Sequence, residues 1–323
     1  MSAERRLPCP YCGTEVEWRG ESVLTCPSCG TAFSRQGSVG DHLMERVNYE
    51  PGEVFKIFAQ WALRMPETPN DFFASATISR CRLEFHPYWL YEISGVFAYT
   101  VQGGSSYVRL RPLAILPESI VPRGFAEKAG EETATAIVSV PGLRRDLESA
   151  LGRLTLSPAG KVYFSYRYVQ QRGGVLLNPD IPPEEADRAA ERRAEEEVAR
   201  RLSRRFGKQA AAKLVEKKTF ERRLVHVPVY ICEYVYGPRR HVFVAEAGTS
   251  RIIYAEVPKE TRFRVVAGIA GAVSVAIALA VLSTIPRAPF FALTAASGLL
   301  LSGAYSIAKA LGSTATVREF YAQ

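Results

Sequence analysis

The stretch Val265–Ile285 reads VVAGIAGAVSVAIALAVLSTI and contains no charged side chain. As a helix, a run of this length crosses a hydrocarbon core roughly 30 Å thick. Proline follows at Pro286, and a second apolar run extends from Phe290 to Ala308. We therefore predict a two-helix transmembrane hairpin over 261–312 that contacts the membrane through 265–311. The alternative is a buried core helix, which two adjacent runs of this length disfavour.

Positive charge lies outside the two runs rather than between them. The flanking basic residues are Lys259, Arg262 and Arg264 before the first run and Lys309 and Arg318 after the second, with Arg287 alone in the turn. Because Lys and Arg are enriched on the cytosolic side, we expect a multi-pass protein of the cell membrane with both termini cytoplasmic. We also expect anionic lipid headgroups near Lys259, Arg262 and Arg264.

The apolar runs lack the groups that transport would require. Neither contains Asp, Glu or His, whereas transporters and proton relays normally place ionisable groups inside the membrane. Small residues four apart, Gly268 and Ala272 in the first run and Gly298 and Ser302 in the second, let helices approach closely. The hairpin is therefore interpreted as an anchor, with an oligomer interface left open.

Two cysteine motifs of the same spacing near the start predict a metal site. The pairs Cys9–Cys12 and Cys26–Cys29 each have two intervening residues and a following glycine. Four thiolates so spaced form a closed tetrahedral set, typical of structural Zn²⁺ with no open position for a substrate. We predict a zinc ribbon over 1–36 with Cys9, Cys12, Cys26 and Cys29 as ligands. Two disulfides or a redox pair are the alternatives, and a reducing compartment disfavours both.

The chain of 323 residues has a formal net charge of +8, which favours anionic partners such as nucleic acid or lipid. The first eight residues lack an apolar segment, so we expect no secretory signal and a cytosolic location for the region before the hairpin. On the ribbon, glutamates offset the arginines. A protein contact or a structural cap therefore fits the ribbon better than nucleic-acid binding.

Helical and strand patterns alternate between the ribbon and the hairpin, which predicts an α+β fold. We expect a linker at 37–49, a first α+β module at 50–175, a charged helical segment at 176–223, a second β module at 224–260 and a cytosolic tail at 313–323. Within them the patterns predict a helix over 53–63, strands over 82–101, 107–116 and 161–169, a short helix over 141–151, a strand hairpin over 224–245 and a strand over 251–257.

The charged segment changes sign along its length. Glu–Arg pairs four residues apart support a helix with a narrow apolar stripe over Ala190, Ala194, Val198, Leu202 and Phe206. Its second half, 200–223, holds ten basic and two acidic residues. This predicted basic helix is a candidate for recruiting nucleic acid or ribosomes. A solvated face near lipid headgroups is the alternative.

A short internal match suggests a duplicated middle. The stretch 86–92, HPYWLYE, aligns with 227–233, VPVYICE. If the halves pack as mates, His86 and His226 face each other and, with Cys81 and Cys232, offer a second metal or redox site. Lone residues of this kind beside strands are more often structural.

The order of these features resembles a group of uncharacterised prokaryotic membrane proteins. They carry an N-terminal transcription-factor-IIB-type zinc ribbon and are sometimes labelled primosomal or helicase-like. The resemblance implies architecture rather than chemistry. No phosphate-binding loop is present to support the helicase label.

No nucleophile or metalloprotease motif is present, so no catalytic residues are predicted. The leading hypothesis is a membrane-anchored scaffold that docks a cytosolic protein partner. Recruitment of nucleic acid or ribosomes through 200–223 is one alternative. A small-molecule sensor or enzyme that uses a cleft between the two halves is the other.

Overall fold

The computed structural model describes residues 5–101, 128–147, 149–282, 289–311 and 314–320. In chain order the strands and helices are β1 (Arg5–Pro8), β2 (Glu15–Trp18), β3 (Leu24–Thr25), β4 (Ala32–Ser34), β5 (Gly37–Ser38), β6 (Asp41–Met44), α1 (Pro51–Ala62), α2 (Phe72–Ser75), β7 (Thr77–Val101), β8 (Lys128–Pro141), α3 (Arg144–Leu147), β9 (Val162–Tyr163), α4 (Tyr166–Gln171), β10 (Val175–Leu176), α5 (Pro183–Phe206), β11 (Ala210–Tyr236), β12 (Arg239–Glu246), β13 (Ile252–Pro258), α6 (Thr261–Leu282), α7 (Pro289–Leu311) and β14 (Thr314–Phe320).

The chain divides into two compact units, and each is built from two separate stretches of sequence. The first unit comprises Met1–Glu45 and Phe85–Val227, and the second comprises Arg46–Glu84 and Pro228–Gln323. Two of the three boundaries fall inside the long strands β7 and β11, and the third follows β6. The units therefore interleave along the chain, whereas the sequence predicted consecutive modules.

The first unit begins with the ribbon. Strands β1 and β2 pair as one antiparallel hairpin, and β3, β4 and β5 form a small antiparallel sheet. The predicted linker at 37–49 is wrong in its first half, because it contains β5 and β6. Strand β6 pairs in parallel with β11 and antiparallel with β9, so it is a member of the main sheet.

Long strands form the core of this unit. Strand β8 pairs antiparallel with β7 from Tyr88 opposite Pro141 to Val101 opposite Lys128. Strand β11 lies on the other side of β7, so close that a Cβ on Gly95 would collide with the Glu216 carbonyl oxygen. The prediction of a strand over 82–101 is confirmed, and the strand starts earlier, at Thr77.

The predicted helix over 200–223 is wrong beyond Phe206. Helix α5 ends there, and Gly207 adopts φ +63°, a left-handed conformation that glycine tolerates at a helix end. The chain then continues as β11 from Ala210. Most of the basic segment is therefore a strand. The predicted apolar stripe of α5 is confirmed, because its members Ala190, Ala194, Val198 and Leu202 are buried against the core and Phe206 packs beside them.

One charged stripe of α5 contacts β11. Asp187 forms an ion pair with Arg222 at 3.1 Å, and Glu191 pairs with Lys217. One turn later the Glu195 carboxylate accepts a hydrogen bond of 3.0 Å from the Leu214 backbone N–H. Acidic residues four apart thus engage β11 at three points along its length. They hold the helix along β11.

The opposite charged stripe of α5 contacts β8. Arg193 donates to the backbone carbonyls of Ser139 and Gly152, and Arg201 donates to the Thr135 carbonyl at 2.7 Å. These arginines satisfy the Thr135 and Ser139 carbonyls of β8, where unpaired strand groups would otherwise invite another chain, and the Gly152 carbonyl of the 3₁₀ turn at Ala150–Arg153. The charge of this helix is therefore largely committed to contacts inside the unit.

Three further predicted elements differ from the structure or fall outside it. The predicted strand over 161–169 is confined to Val162–Tyr163, and helix α4 follows it. The predicted helix over 141–151 is a single turn, α3, followed by a 3₁₀ turn at Ala150–Arg153. The predicted strand over 107–116 lies outside the described residues.

The second unit packs α1 and α2 on a sheet. Phe55 and Phe58 of α1 contact Phe72 of α2 and the strand residues Tyr234 and Phe243, with ring centroids 5.3 to 6.5 Å apart. Strands β11, β12, β13 and β14 follow one another in antiparallel order. The predicted helix over 53–63 and strand over 251–257 are present within a few residues of the predicted limits. The predicted hairpin over 224–245 is present as β11 and β12, but its first strand starts much earlier, at Ala210.

The two apolar helices are inserted between neighbouring strands of this sheet. The chain leaves β13 at Pro258, forms α6 and α7, and returns as β14, where Thr314 pairs with Pro258. The segment predicted as a tail, 313–323, therefore contains a sheet strand. Helices α6 and α7 touch at Gly271 and Gly303, where an added Cβ on either glycine would lie within 3.1 Å of the other's carbonyl oxygen.

One helix is long and apolar enough to cross a membrane by length and composition. Its span Val265–Leu282 has a mean hydropathy of 2.6, and 11% of it is buried. A core helix of a soluble protein would be mostly covered by its neighbours, so this exposure argues against the core-helix alternative. The shorter apolar helical stretch Leu293–Ala308 lies in α7.

Candidate metal centre

The two cysteine motifs fold into matching turns. In the first, the Cys9 N–H donates to the Thr14 carbonyl and the Gly13 N–H donates to the Cys9 carbonyl, both at 2.9 Å. The second motif repeats both bonds at the same distances. Gly13 and Gly30 have φ of +74° and +77°, which explains the glycine after each motif. The turns aim all four thiols at one point.

The thiol geometry fits a metal ion. The ligand atoms of Cys9, Cys12, Cys26 and Cys29 lie within 4.8 Å of one another, and the sulfurs of Cys9 and Cys29 and of Cys12 and Cys26 are 3.6 Å apart. A tetrahedral site with metal–sulfur bonds of about 2.3 Å requires sulfur separations of about 3.8 Å. The four cysteines can therefore bind a metal ion with little movement.

The thiols of this site differ in pKa and in exposure. Hydrogen bonds from Thr14 lower the pKa of Cys12 to about 6, whereas burial raises the pKa of Cys26 to about 12. A metal ion requires thiolates, so binding must overcome the burial cost at Cys26 and releases its proton. Cys9 and Cys26 are buried, while Cys12 and Cys29 are exposed.

Among the described side chains, the surface of the ribbon offers little free positive charge. Arg6 lies 3.6 Å from Glu15, Arg19 lies 2.8 Å from Glu17, and the Arg35 guanidinium stacks 3.8 Å from the centre of the Trp18 ring. Each of these arginines is engaged within the ribbon. By contrast Tyr11, inside the first motif, is 81% exposed.

A buried histidine joins the ribbon to the body of its unit. His42, on β6, places Nδ1 2.6 Å from the Gly30 carbonyl oxygen and Nε2 2.8 Å from Nδ1 of His226. On the far side, Nε2 of His226 lies 3.0 Å from the Leu177 carbonyl oxygen. Phe164 stacks on the His42 ring at 4.0 Å and packs against Gly30. These contacts fix the second cysteine turn on the main sheet.

The three contacts, from Gly30 to His42, from His42 to His226 and from His226 to Leu177, need more protons than two neutral histidines carry. Carbonyl oxygens only accept, so the two outer ring nitrogens must donate, and the bond between the rings needs a third proton. Two neutral imidazoles carry two protons. Burial lowers the pKa of His42 to about 4 and that of His226 well below its usual value. Burial therefore favours the neutral pair, which leaves one contact without its proton.

The residues considered for a second site have separate partners. His86 pairs with Asp146 at 2.8 Å, and both are buried. His226 contacts His42, and Cys81 and Cys232 form a disulfide in the second unit. Within the described ranges, the four ribbon cysteines form the one group with metal-ligand geometry. The His86, His226, Cys81 and Cys232 site is therefore not formed there.

Sequence reasoning missed the residues that complete these contacts. His42 was not paired with His226, and Asp146 was not paired with His86. The buried ion pair between Glu45 and Lys161 was also missed. In each pair the partners come from distant parts of the chain, so no local spacing signals them.

The comparisons with known proteins add no relative to these observations, since no family model, curated protein or solved structure matches the chain.

Proposed function

We propose that this protein is a membrane-anchored zinc-ribbon scaffold that docks a cytosolic protein partner. The observation that carries the proposal is the insertion of α6 and α7 between the paired strands β13 and β14. Because Pro258 and Thr314 are partners, the hairpin leaves and re-enters the sheet at one place. Two helices that start and end together return the chain to the side of the membrane from which it came.

The positive charges beside α6 and α7 favour a cytosolic location for the two ends of the helix pair. Lys259 precedes α6, and the sequence adds Arg262 and Arg264 at its start and Lys309 near the end of α7. If both helices span the membrane, the positive-inside bias keeps the two ends of the pair in the cytosol. The ribbon then lies in the cytosol as well. That compartment keeps the ribbon thiols reduced, and a closed four-cysteine set there favours zinc as the metal. Kinship with the zinc-ribbon membrane proteins noted above stays a prediction.

A docking role fits the surfaces better than nucleic-acid recruitment does. In the segment 200–223, six of the ten basic side chains are engaged by carboxylates in the same unit: Arg200 and Arg201 by Glu197, Arg205 by Glu132, Lys217 by Glu191, Arg222 by Asp187 and Arg223 by Glu221. A nucleic-acid surface needs free cations that replace condensed counterions. Exposed Tyr11 is instead the kind of rigid aromatic that anchors protein interfaces.

Purification of the tagged chain from membranes tests the proposal. We expect the chain to resist an alkaline carbonate wash, to carry one zinc ion and to retain a stoichiometric protein after gentle detergent extraction. The Tyr11→Ser variant should lose that protein and keep the zinc. Val215→Ser, which removes another exposed apolar side chain, should keep both. Salt-sensitive nucleic acid in place of a protein would instead support the recruitment alternative.

A further inference from the structure

One end of the second unit gathers exposed basic and apolar side chains around the start of α6. Lys259 lies 3.9 Å from Glu67, and the Glu260 N–H donates to the Glu67 carbonyl at 2.7 Å. The loop after α1 is therefore held against the two residues that lead into α6. The corner between α1 and α2, residues 63–73, therefore lies beside the start of α6.

The turn between β11 and β12 lies at the same end. Its residue Tyr236 donates a hydrogen bond of 2.7 Å to Asp71, beside α2. Strands β12 and β13 pair with Phe243 opposite Ala255, and continuing that register places Arg240 opposite Pro258 and Arg239 opposite Lys259. Pro258 also pairs with Thr314. The turn, the corner and both ends of the helix pair therefore lie at the same end of the sheet strands.

This end combines charge and apolar surface. Arg64, Arg239 and Arg240 are exposed, and none has an ion-pair partner in the part of the chain that the structure describes. Leu63 and Phe73 are 39% and 44% exposed on the corner. The nearby carboxylates are partly used, because Asp71 accepts from Tyr236 and Ser75 and Glu67 faces Lys259. Free cations beside apolar side chains suit the boundary between anionic headgroups and acyl chains.

We propose that this end is a lipid-contact surface that lies on anionic headgroups, through the turn Tyr236–Arg240 and the corner Leu63–Phe73. The inference rests on the proposed membrane anchor and goes beyond it. It makes the folded sheet, and not only the helices, part of the membrane contact. The argument for lipid over another occupant is continuity with α6 together with the unpaired arginines. The contact would hold the second unit at a fixed distance from the bilayer surface.

The test uses the full chain in nanodiscs of phosphatidylcholine with and without phosphatidylglycerol. Hydrogen–deuterium exchange is followed in peptides covering 63–73 and 236–240. We expect exchange to slow over the anionic lipid by about fivefold per arginine engaged, and the difference to shrink with added salt. The double variant Arg239→Ser, Arg240→Ser should lose the difference. Arg46→Ser should keep it, because exposed Arg46 lies near the opposite end, where Asn48 contacts Ala247.

Equal exchange over both lipids would overturn the proposal. So would protection that grows with protein concentration, since a second copy would then cover the surface. Release of the chain by the carbonate wash would overturn the anchor itself. Retention in the membrane with equal exchange over both lipids would overturn only this inference.

Discussion

His42 and His226 lie 184 residues apart in the chain and share a buried hydrogen bond of 2.8 Å. The bond joins the turn that carries Cys26 and Cys29, through Gly30, to the main sheet of the first unit. Both residues are buried. The protonation state of this pair therefore bears on the stability of the unit.

We expect the stability of the first unit to fall in acid through this pair. The folded pKa of His42, about 4, lies below its unfolded value near 6.5. The unfolded chain therefore binds protons first, and the stabilisation present above pH 6.5 is lost as the pH falls toward 4. The shift corresponds to roughly 3 kcal/mol. Urea unfolding at a series of pH values measures it.

The His42→Gln variant should show a shallower pH slope over the same range. Zinc release must be followed in the same samples, because thiolates also take up protons in acid. A loss of stability that appears only together with zinc release would contradict this assignment. Equal slopes in the two proteins would contradict it as well.

Helix α5 offers a second measurable prediction. Arg193 donates to two backbone carbonyls of the first unit, and burial lowers the pKa of its guanidinium. Arg193→Ala leaves the Ser139 and Gly152 carbonyls without this donor, and we expect a loss of about 2 kcal/mol in urea unfolding. Arg188→Ala, on the exposed outer face, should change stability by less than about 0.5 kcal/mol. Equal losses would remove the structural role given to Arg193.

Local patterns predicted the ribbon, the apolar helices and the buried stripe of α5, because each depends on spacing within one segment. The end of α5 was missed for a physical reason. The stretch 210–223 is rich in Ala, Lys and Glu, which favour helix, yet it forms a strand beside β7. Pairing with a neighbouring strand overrides that propensity, and a single sequence does not display the pairing.

The long-range contacts escaped prediction for the same reason. His42 and His226 meet because β6 pairs with β11 in parallel, with Leu224 opposite His42 and His226 opposite Met44. The segment holding β6 was predicted as a linker. The interleaving of the two units also depends on which strands pair across distant parts of the chain.

Removal of the metal should unfold the ribbon and spare the second unit. Cys26→Ser deletes a buried ligand, and metal ligation supplies much of the folding free energy of so small a module. We expect no bound zinc and rapid amide exchange over 5–34. Exchange in α1 and β12 should stay unchanged. Cys232→Ser is the matched cysteine control and should retain zinc.

The cysteines should divide into two classes. Cys81 and Cys232 are disulfide-bonded, while Cys9, Cys12, Cys26 and Cys29 are free. In denaturant with a zinc chelator and no reductant, a thiol titration should find four thiols per chain. Reduction should raise the number to six. Six thiols before reduction would contradict the disulfide between Cys81 and Cys232.

The contact between the two apolar helices can be separated from their general hydrophobicity. A side chain at Gly303 would meet Val275 and the Gly271 carbonyl oxygen, whereas Gly298, on the same helix, has open space where a Cβ would lie. Gly303→Val should therefore force α6 and α7 apart, at about 1–3 kcal/mol, by overpacking. Gly298→Val adds the same apolar atoms without a collision and should have little effect. Unfolding in SDS titrations measures both, and equal losses would place the helix contact elsewhere.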